Sequence, residues 1–151
     1  MYVVDTNVIS ELMKKSPSHE VISWFQDHEN KVYLTSVTVK ELYYGMLRLP
    51  EGKRKSLLRE SLTAIIMECA DKTLSFDGYC GYLCAELHQR AVSQGRTPTI
   101  EDLMIAAICL RNDAVLATRN TKDFEDLGLT LVNPFEYESE TLKHLKKEQA
   151  I

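Results

Sequence analysis

TIEDLMIAAICLRNDAVLATRNTKDF, residues 99–124, reads as a helix start, an apolar helix, a short turn, a buried strand and a polar loop. Thr99 followed three residues later by Asp102 resembles a capping box, with Asp in place of the usual Glu. Leu103, Ile105, Ala106, Ala107, Ile108, Cys109 and Leu110 make the helix apolar over most of its surface, so it packs inside a domain rather than on it. Asn112-Asp113 breaks it, and Ala114-Val115-Leu116-Ala117 suits a parallel strand buried on both faces. A helix that feeds a parallel strand through a short turn runs antiparallel to it. Asp102, at the helix start, therefore belongs at the same end of the sheet as Asp123, just past the strand.

Working outward, the chain repeats this grammar. Tyr2-Val3-Val4 is a strand closed by Asp5-Thr6-Asn7, and Asp5 can cap the short helix that carries Val8, Ile9, Leu12 and Met13. Ser18 can cap the next helix, which Asn30 stops. Residues 32–37 form the second strand, and Thr38-Val39-Lys40-Glu41 reads as a capping box opening a helix with Leu42, Tyr43, Met46 and Leu47. Pro50-Glu51-Gly52 separates it from another helix led by Lys53-Arg54-Lys55. Residues 73–76 form a third strand, Asp77 caps a helix that ends near Gly95, and residues 129–132 form the fifth strand. Strands separated by helices point to an α/β domain of three layers around a parallel sheet of about five strands, for which the order 3-2-1-4-5 is supposed. The expected division is one domain over 1–135 and a charged C-terminal tail over 136–151.

With 151 residues the chain can bury a core without staples. Its net charge of −4 argues against a generic polyanion binder, so any contact with nucleic acid must come from local cations. Asp5 interrupts the apolar N-terminus, which excludes a signal peptide there, and no run approaches the ~20 apolar residues that cross a bilayer. A cytoplasmic protein is expected. Cys69, Cys80, Cys84 and Cys109 sit in apolar helical patterns and read as small hydrophobes of a reducing compartment. Cys80, Cys84 and His88 share a helical face, but the first and last stand roughly 12 Å apart along it, too far for one zinc ion.

Asp5, Glu41, Asp77 and Asp123 each follow a strand, and Asp102 opens a helix entering one. In an open parallel sheet these positions lie at the carboxyl edge, where ligands bind. Acids at helix starts are also favoured as caps and by the macrodipole, by roughly 0.3–1 kcal/mol each. Asp77, on an edge strand, is read as a cap alone. The other four belong together, because the proposed strand order makes Asp5 central, with Glu41 after one neighbouring strand and Asp123 after the other. Carboxylates sharing a site must take up protons or a cation. Oxygen donors without His or Cys suit Mg²⁺ or Mn²⁺, which can activate water and stabilise a phosphodiester in flight. Thr6, Asn7, Thr118 and Asn120 supply hydroxyls and amides at the same edge. A hydrolytic phosphodiesterase site is the inference from the residues.

Four stretches, YVVDTNVISEL, SVTVKELYYGM, TPTIEDLMIAA and LATRNTKDF, taken in order, resemble the PIN-domain toxins of the VapC and FitB type, over nearly the whole chain to about Pro134. The resemblance implies an endoribonuclease dependent on Mg²⁺ or Mn²⁺, the toxin of a toxin–antitoxin pair. Carried onto this chain, it makes Asp5 and Asp102 the principal metal ligands. Glu41 helps to hold the metal or its water, and Asp123 completes the acidic pocket. Thr6, Asn7, Thr118 and Asn120 match the polar residues beside those acids. It also implies a homodimer held inactive by a small DNA-binding antitoxin, which lays a segment, often with an Arg, into the acidic pocket. Glu101 departs from the pattern, standing where a small residue commonly precedes the third acid, and is expected to point away from the pocket.

Candidate RNA contacts are Arg119 above all, then Lys14, Lys40, Lys15, Arg48, Lys53, Arg54 and Arg96. Tyr43, Tyr44 and Trp24 read as apolar-face residues before they read as base-stacking ones. The competing reading is an inactive PIN-like module that only binds RNA or a protein; the presence of all four acids weighs against it. An aspartyl phosphatase would need a second Asp where Asn7 stands. A receiver domain would need an acidic pair at the first strand and a Lys after the last one.

Overall fold

The computed structural model describes residues 1–150. In chain order its elements are β1 (Tyr2–Val4), α1 (Thr6–Leu12), α2 (His19–His28), β2 (Val32–Thr35), α3 (Ser36–Leu47) and α4 (Lys53–Glu68). There follow β3 (Thr73–Leu74), α5 (Gly78–Ser93), α6 (Ile100–Arg111), β4 (Val115–Ala117), α7 (Thr121–Phe124), β5 (Leu131–Val132) and α8 (Glu140–Gln149). The sheet runs β3-β2-β1-β4-β5 with every pairing parallel, as the sequence implies. Tyr2 is in register with Val32 on one side and Val115 on the other, so β1 is the central strand.

Successive side chains of a strand point to opposite faces, and both faces here are covered. Val3 and Leu116 pack into the core built by α5 and α6 with Val37, Phe124 and Leu127. Val4 and Ala117 pack into a second core with Val8, Val21, Trp24, Leu42, Met46 and Leu62 of α1 to α4. All four of these strand residues are fully buried. The expected three layers are therefore present. α6 is the most enclosed helix, with six buried residues including Ile105, Ala106 and Ala107.

Local caps set most helix starts. Asp5, Ser18, Asp77 and Thr99 accept from the first-turn N–H groups of α1, α2, α5 and α6, as read from the sequence. Asp113, at φ 50°, takes the left-handed turn between α6 and β4, a conformation Asp tolerates better than most residues. Among the described residues no helix is long and apolar enough to cross a membrane.

One cap lies elsewhere. β2 stops at Thr35 rather than at residue 37, because the Thr35 hydroxyl accepts from Thr38 N–H at 3.0 Å and opens α3 one turn early. Thr38 is thus a helical residue bonded to its cap, its Oγ1 lying 2.9 Å from that of Thr35. Glu41 is not the reaching arm of a capping box. It sits in the second turn of α3 with its carboxylate free for other partners. β3 and β5 are also shorter than expected, and residues 121–124 of the polar loop wind into α7.

Candidate active site

Asp5 is 7% exposed, and its carboxylate is held by three donors. Oδ1 accepts from Thr6 N–H at 2.8 Å; Oδ2 accepts from the Thr118 hydroxyl at 2.8 Å and from Asn7 Nδ2 at 3.2 Å. The Thr118 oxygen, fully buried, in turn accepts from Asn120 N–H at 3.0 Å and from Asn7 Nδ2 at 3.4 Å. One donor and two acceptor sites are all a hydroxyl has, so Thr118 is fully used. Asn7 Oδ1 accepts from Arg119 N–H at 3.2 Å. The loop after β4 is therefore stitched to the residues after β1 through Thr118 and the Arg119 N–H on one side and Asp5 and Asn7 on the other.

Thr6 carries the lattice one step further, donating its hydroxyl to Glu41 Oε1 at 3.3 Å. Burial raises the carboxyl pKa of Asp5 above its usual value against the pull of those hydrogen bonds, and the charge of Asp123 adds to the rise. Glu41 is raised by burial and then by the charge of Asp5, with Asp102 and Glu101 contributing less than the opposing Thr6 bond. Asp102 is raised by burial, against its bond with Thr99, and further by Asp5, Asp123 and Glu101. The charges that raise these acids come from one another, from Asp123 and from Glu101. Asp5, Glu41, Asp102 and Asp123, from four separate stretches, are brought to one edge of the sheet. Asp77 stands apart from them: it caps α5 and faces Arg111 at 3.7 Å.

The donors facing this pocket are oxygen atoms. Among the described residues no group of three or more His, Cys, Asp or Glu side chains is placed to hold a metal ion. The cysteines are free thiols; Cys80, Cys84 and Cys109 are buried, and burial pushes Cys109 up to about 12. They are core residues, as expected.

Several surface expectations change. Glu101 points to Lys40, whose ammonium lies 3.0 Å from Oε1, so the extra acid beside Asp102 carries its own counter-charge at the pocket rim. Lys14 is tied to Glu11 at 2.6 Å. Arg96 is a positioning residue: its guanidinium donates to the carbonyls of Glu125, Lys122 and Asp123, clamping the turn that bears Asp123. Arg119 is exposed, with its guanidinium 4.7 Å from the centre of the Phe135 ring. Trp24 is 1% exposed, but Tyr44 is 55% exposed and is not an apolar-face residue.

Sequence reading passed over Glu11. It is a buried carboxylate that accepts from Ser18 N–H at 2.9 Å and from Lys14, tying down the turn between α1 and α2. The Lys14 ammonium, ahead of that N–H and of burial, holds its pKa below the usual range. A lone Glu at a helix end carries no signal of burial.

A five-stranded parallel sheet in this order, with acids gathered at its carboxyl edge and held by a Thr-Asn lattice, defines an acid-edged α/β domain of a recognisable kind. The PIN domain family matches residues 2–129, and the chain belongs to that family. It is 36% identical over 138 residues to the VapC ribonuclease Y4jK of Sinorhizobium fredii, covering 90% of this chain and 99% of that protein. It is 33% identical over 137 residues to the toxin FitB of Neisseria gonorrhoeae, covering 89% and 99%. Among solved structures, FitAB bound to a DNA fragment contains a chain that superposes with a TM-score of 0.84 at 31% identity, over 93% of this chain and 99% of that one.

Proposed function

We propose that this protein is a metal-dependent endoribonuclease, the toxin of a toxin–antitoxin pair. The observation that carries the reading is that Asp5, Glu41 and Asp102 gather at one sheet edge, each raised by burial and by the charge of neighbouring acids, while a dedicated hydrogen-bond lattice holds Asp5 still. A fold that needed these acids only as caps would have no reason to crowd them. The similarity to proteins named as a VapC ribonuclease and a toxin supports the substrate class and the biology.

An oxygen-only donor set suits Mg²⁺ or Mn²⁺, and Mg²⁺ in particular keeps several of its waters, so a site need not enclose it with side chains alone. Asp5 and Asp102 would be the principal holders, Glu41 would help to hold the ion or its water, and Asp123 would complete the acidic pocket. When bound, the ion supplies an activated water and stabilises charge on the phosphodiester. Thr118, Asn7 and Thr6 fix the Asp5 and Glu41 carboxylates so that both need little reorganisation. The phosphate approaches past Lys40, the cation at the rim.

The partner is a small DNA-binding antitoxin, a reading supported by the FitAB complex on DNA. An open groove of ≈ 1290 Å³ between α1, α3 and α4 is lined by Met13, Leu57, Leu58 and Ile65 together with Lys53 and Arg54. It fits an amphipathic antitoxin helix with acidic flanks. The toxin itself acts as a homodimer. The test is incubation of purified protein with RNA in Mg²⁺ or Mn²⁺, beside a chelator control and Asp5→Asn. Cleavage that survives both chelation and the substitution would sink the assignment.

A further inference from the structure

Tyr44 is an aromatic ring beside the acid pocket that the reading above leaves unused. It follows Glu41 by three residues on α3, and Lys40, Tyr44 and Arg48 fall at i, i+4 and i+8, on one face of that helix. The ring is 55% exposed. Lys40 Nζ lies 5.6 Å and Arg48 Cζ 5.8 Å from its centre. At 1.5 Å per residue, Tyr44 stands about 6 Å and Arg48 about 12 Å along the axis from Lys40.

The stripe has a fixed end. Lys40 pairs with Glu101, the neighbour of Asp102, so the row begins at the lip of the pocket and leads away along α3. A tyrosine kept for packing within the domain would be buried. An exposed ring between two cations is the composition of a single-strand binding track: the ring stacks a base of any sequence, and the cations take the phosphates on either side. An acidic protein needs such a local feature to hold a polyanion. At exposed sites both the attraction of a cation for a ring and the Lys40–Glu101 pair are weak, so both long side chains can turn to phosphate when a base arrives.

We propose that Lys40, Tyr44 and Arg48 form a subsite for single-stranded RNA, with one base on Tyr44 and its flanking phosphates on the two cations. The subsite rests on the ribonuclease reading. It sets how the strand leaves the cleavage site and gives no base preference of its own.

The test uses the full chain carrying Asp5→Asn, which binds without cutting, and a fluorescent unstructured RNA oligonucleotide. Adding Tyr44→Ala weakens binding by about tenfold or more, while Tyr44→Phe stays within about twofold, because stacking needs the ring and not the hydroxyl. Arg48→Ala weakens binding and lowers the slope of log affinity against log salt by about 0.7, one phosphate's worth on a single strand. With Asp5 intact, Tyr44→Ala raises KM and leaves kcat near its starting value. Equal affinity of Tyr44→Ala and its parent overturns the subsite, as does Tyr44→Phe binding as poorly as Tyr44→Ala. A changed mass in sedimentation with unchanged RNA affinity also overturns it, and assigns the face, with half-exposed Leu47, to a second copy of the chain. If the protein with Asp5 intact cuts RNA and the subsite variants bind and cut as it does, the ribonuclease reading stands alone. If the parent neither binds nor cuts any RNA, both fall.

Discussion

The Thr118 hydroxyl donates to Asp5 Oδ2 at 2.8 Å, across 113 positions of sequence and inside a layer that excludes water. Hydrogen bonds to a charged group in such a place contribute about 1.5–3 kcal/mol, and this one also joins the ends of β1 and β4. Thr118→Val keeps the shape and removes the donor. We expect cleavage to fall about 10- to 100-fold, the usual effect of losing a group that orients a metal ligand. The Asp5 carboxyl should rise further, moving the acid limb of the pH–rate profile upward. An unchanged profile with unchanged rate would show that Thr118 is a core residue only.

The crowded acids make the metal-free protein sensitive to pH. Asp5, Glu41 and Asp102 have native pKa values above their ordinary values of 3.8, 4.5 and 3.8. Between the ordinary and the raised values the native state binds more protons than the unfolded chain. Stability from these groups is therefore fully present below the ordinary values and is lost as pH rises through the raised ones. Asp102→Asn should melt at a higher temperature than the parent at pH 7 in chelator, while its nuclease activity drops to background. A lower melting temperature would mean that the charge of Asp102 stabilises the fold.

Divalent ions should reverse that cost. An ion that binds only the folded state stabilises it by about 2.7 kcal/mol at a hundred times its Kd. Thermal melts in rising Mg²⁺ or Mn²⁺ should shift upward in the parent, more at pH 8 than at pH 5, and not in Asp5→Asn. A shift of equal size in both proteins would place the ion elsewhere.

Arg96 was expected among the RNA contacts, yet its guanidinium is spent on the carbonyls of Lys122, Asp123 and Glu125. Arg96→Gln should lower kcat by loosening the turn that holds Asp123, with little change in RNA affinity or its salt dependence. A loss seen in affinity and salt slope, with kcat intact, would return Arg96 to the phosphate contacts.

Glu11→Gln should destabilise the fold measurably in urea unfolding, because an acceptor of one N–H and one ammonium loses its charge. The effect belongs to the turn between α1 and α2, so specific activity at low temperature should persist. Stability within error of the parent would show that the pair is solvated despite its burial.

Local chemistry was legible in the chain itself. Caps at Asp5, Ser18, Asp77 and Thr99 depend on a few neighbouring residues, and the apolar periods of α6 and β4 depend on little more. Strands alternating with helices implied the parallel sheet, and the order supposed for it, 3-2-1-4-5, is the one the fold has. Only the tertiary structure decided where the polar side chains go. Thr35 outcompetes Thr38 as the cap of α3 and so releases Glu41 toward Thr6. Lys40 turns to Glu101, Arg96 to a loop 26 to 29 residues away, and Tyr44 is left in solvent. The difference is one of range: backbone conformation and burial period are set within a turn or two of the chain. A charged side chain's partner is whichever opposite charge or open carbonyl the packing of distant helices happens to bring within three ångströms or so.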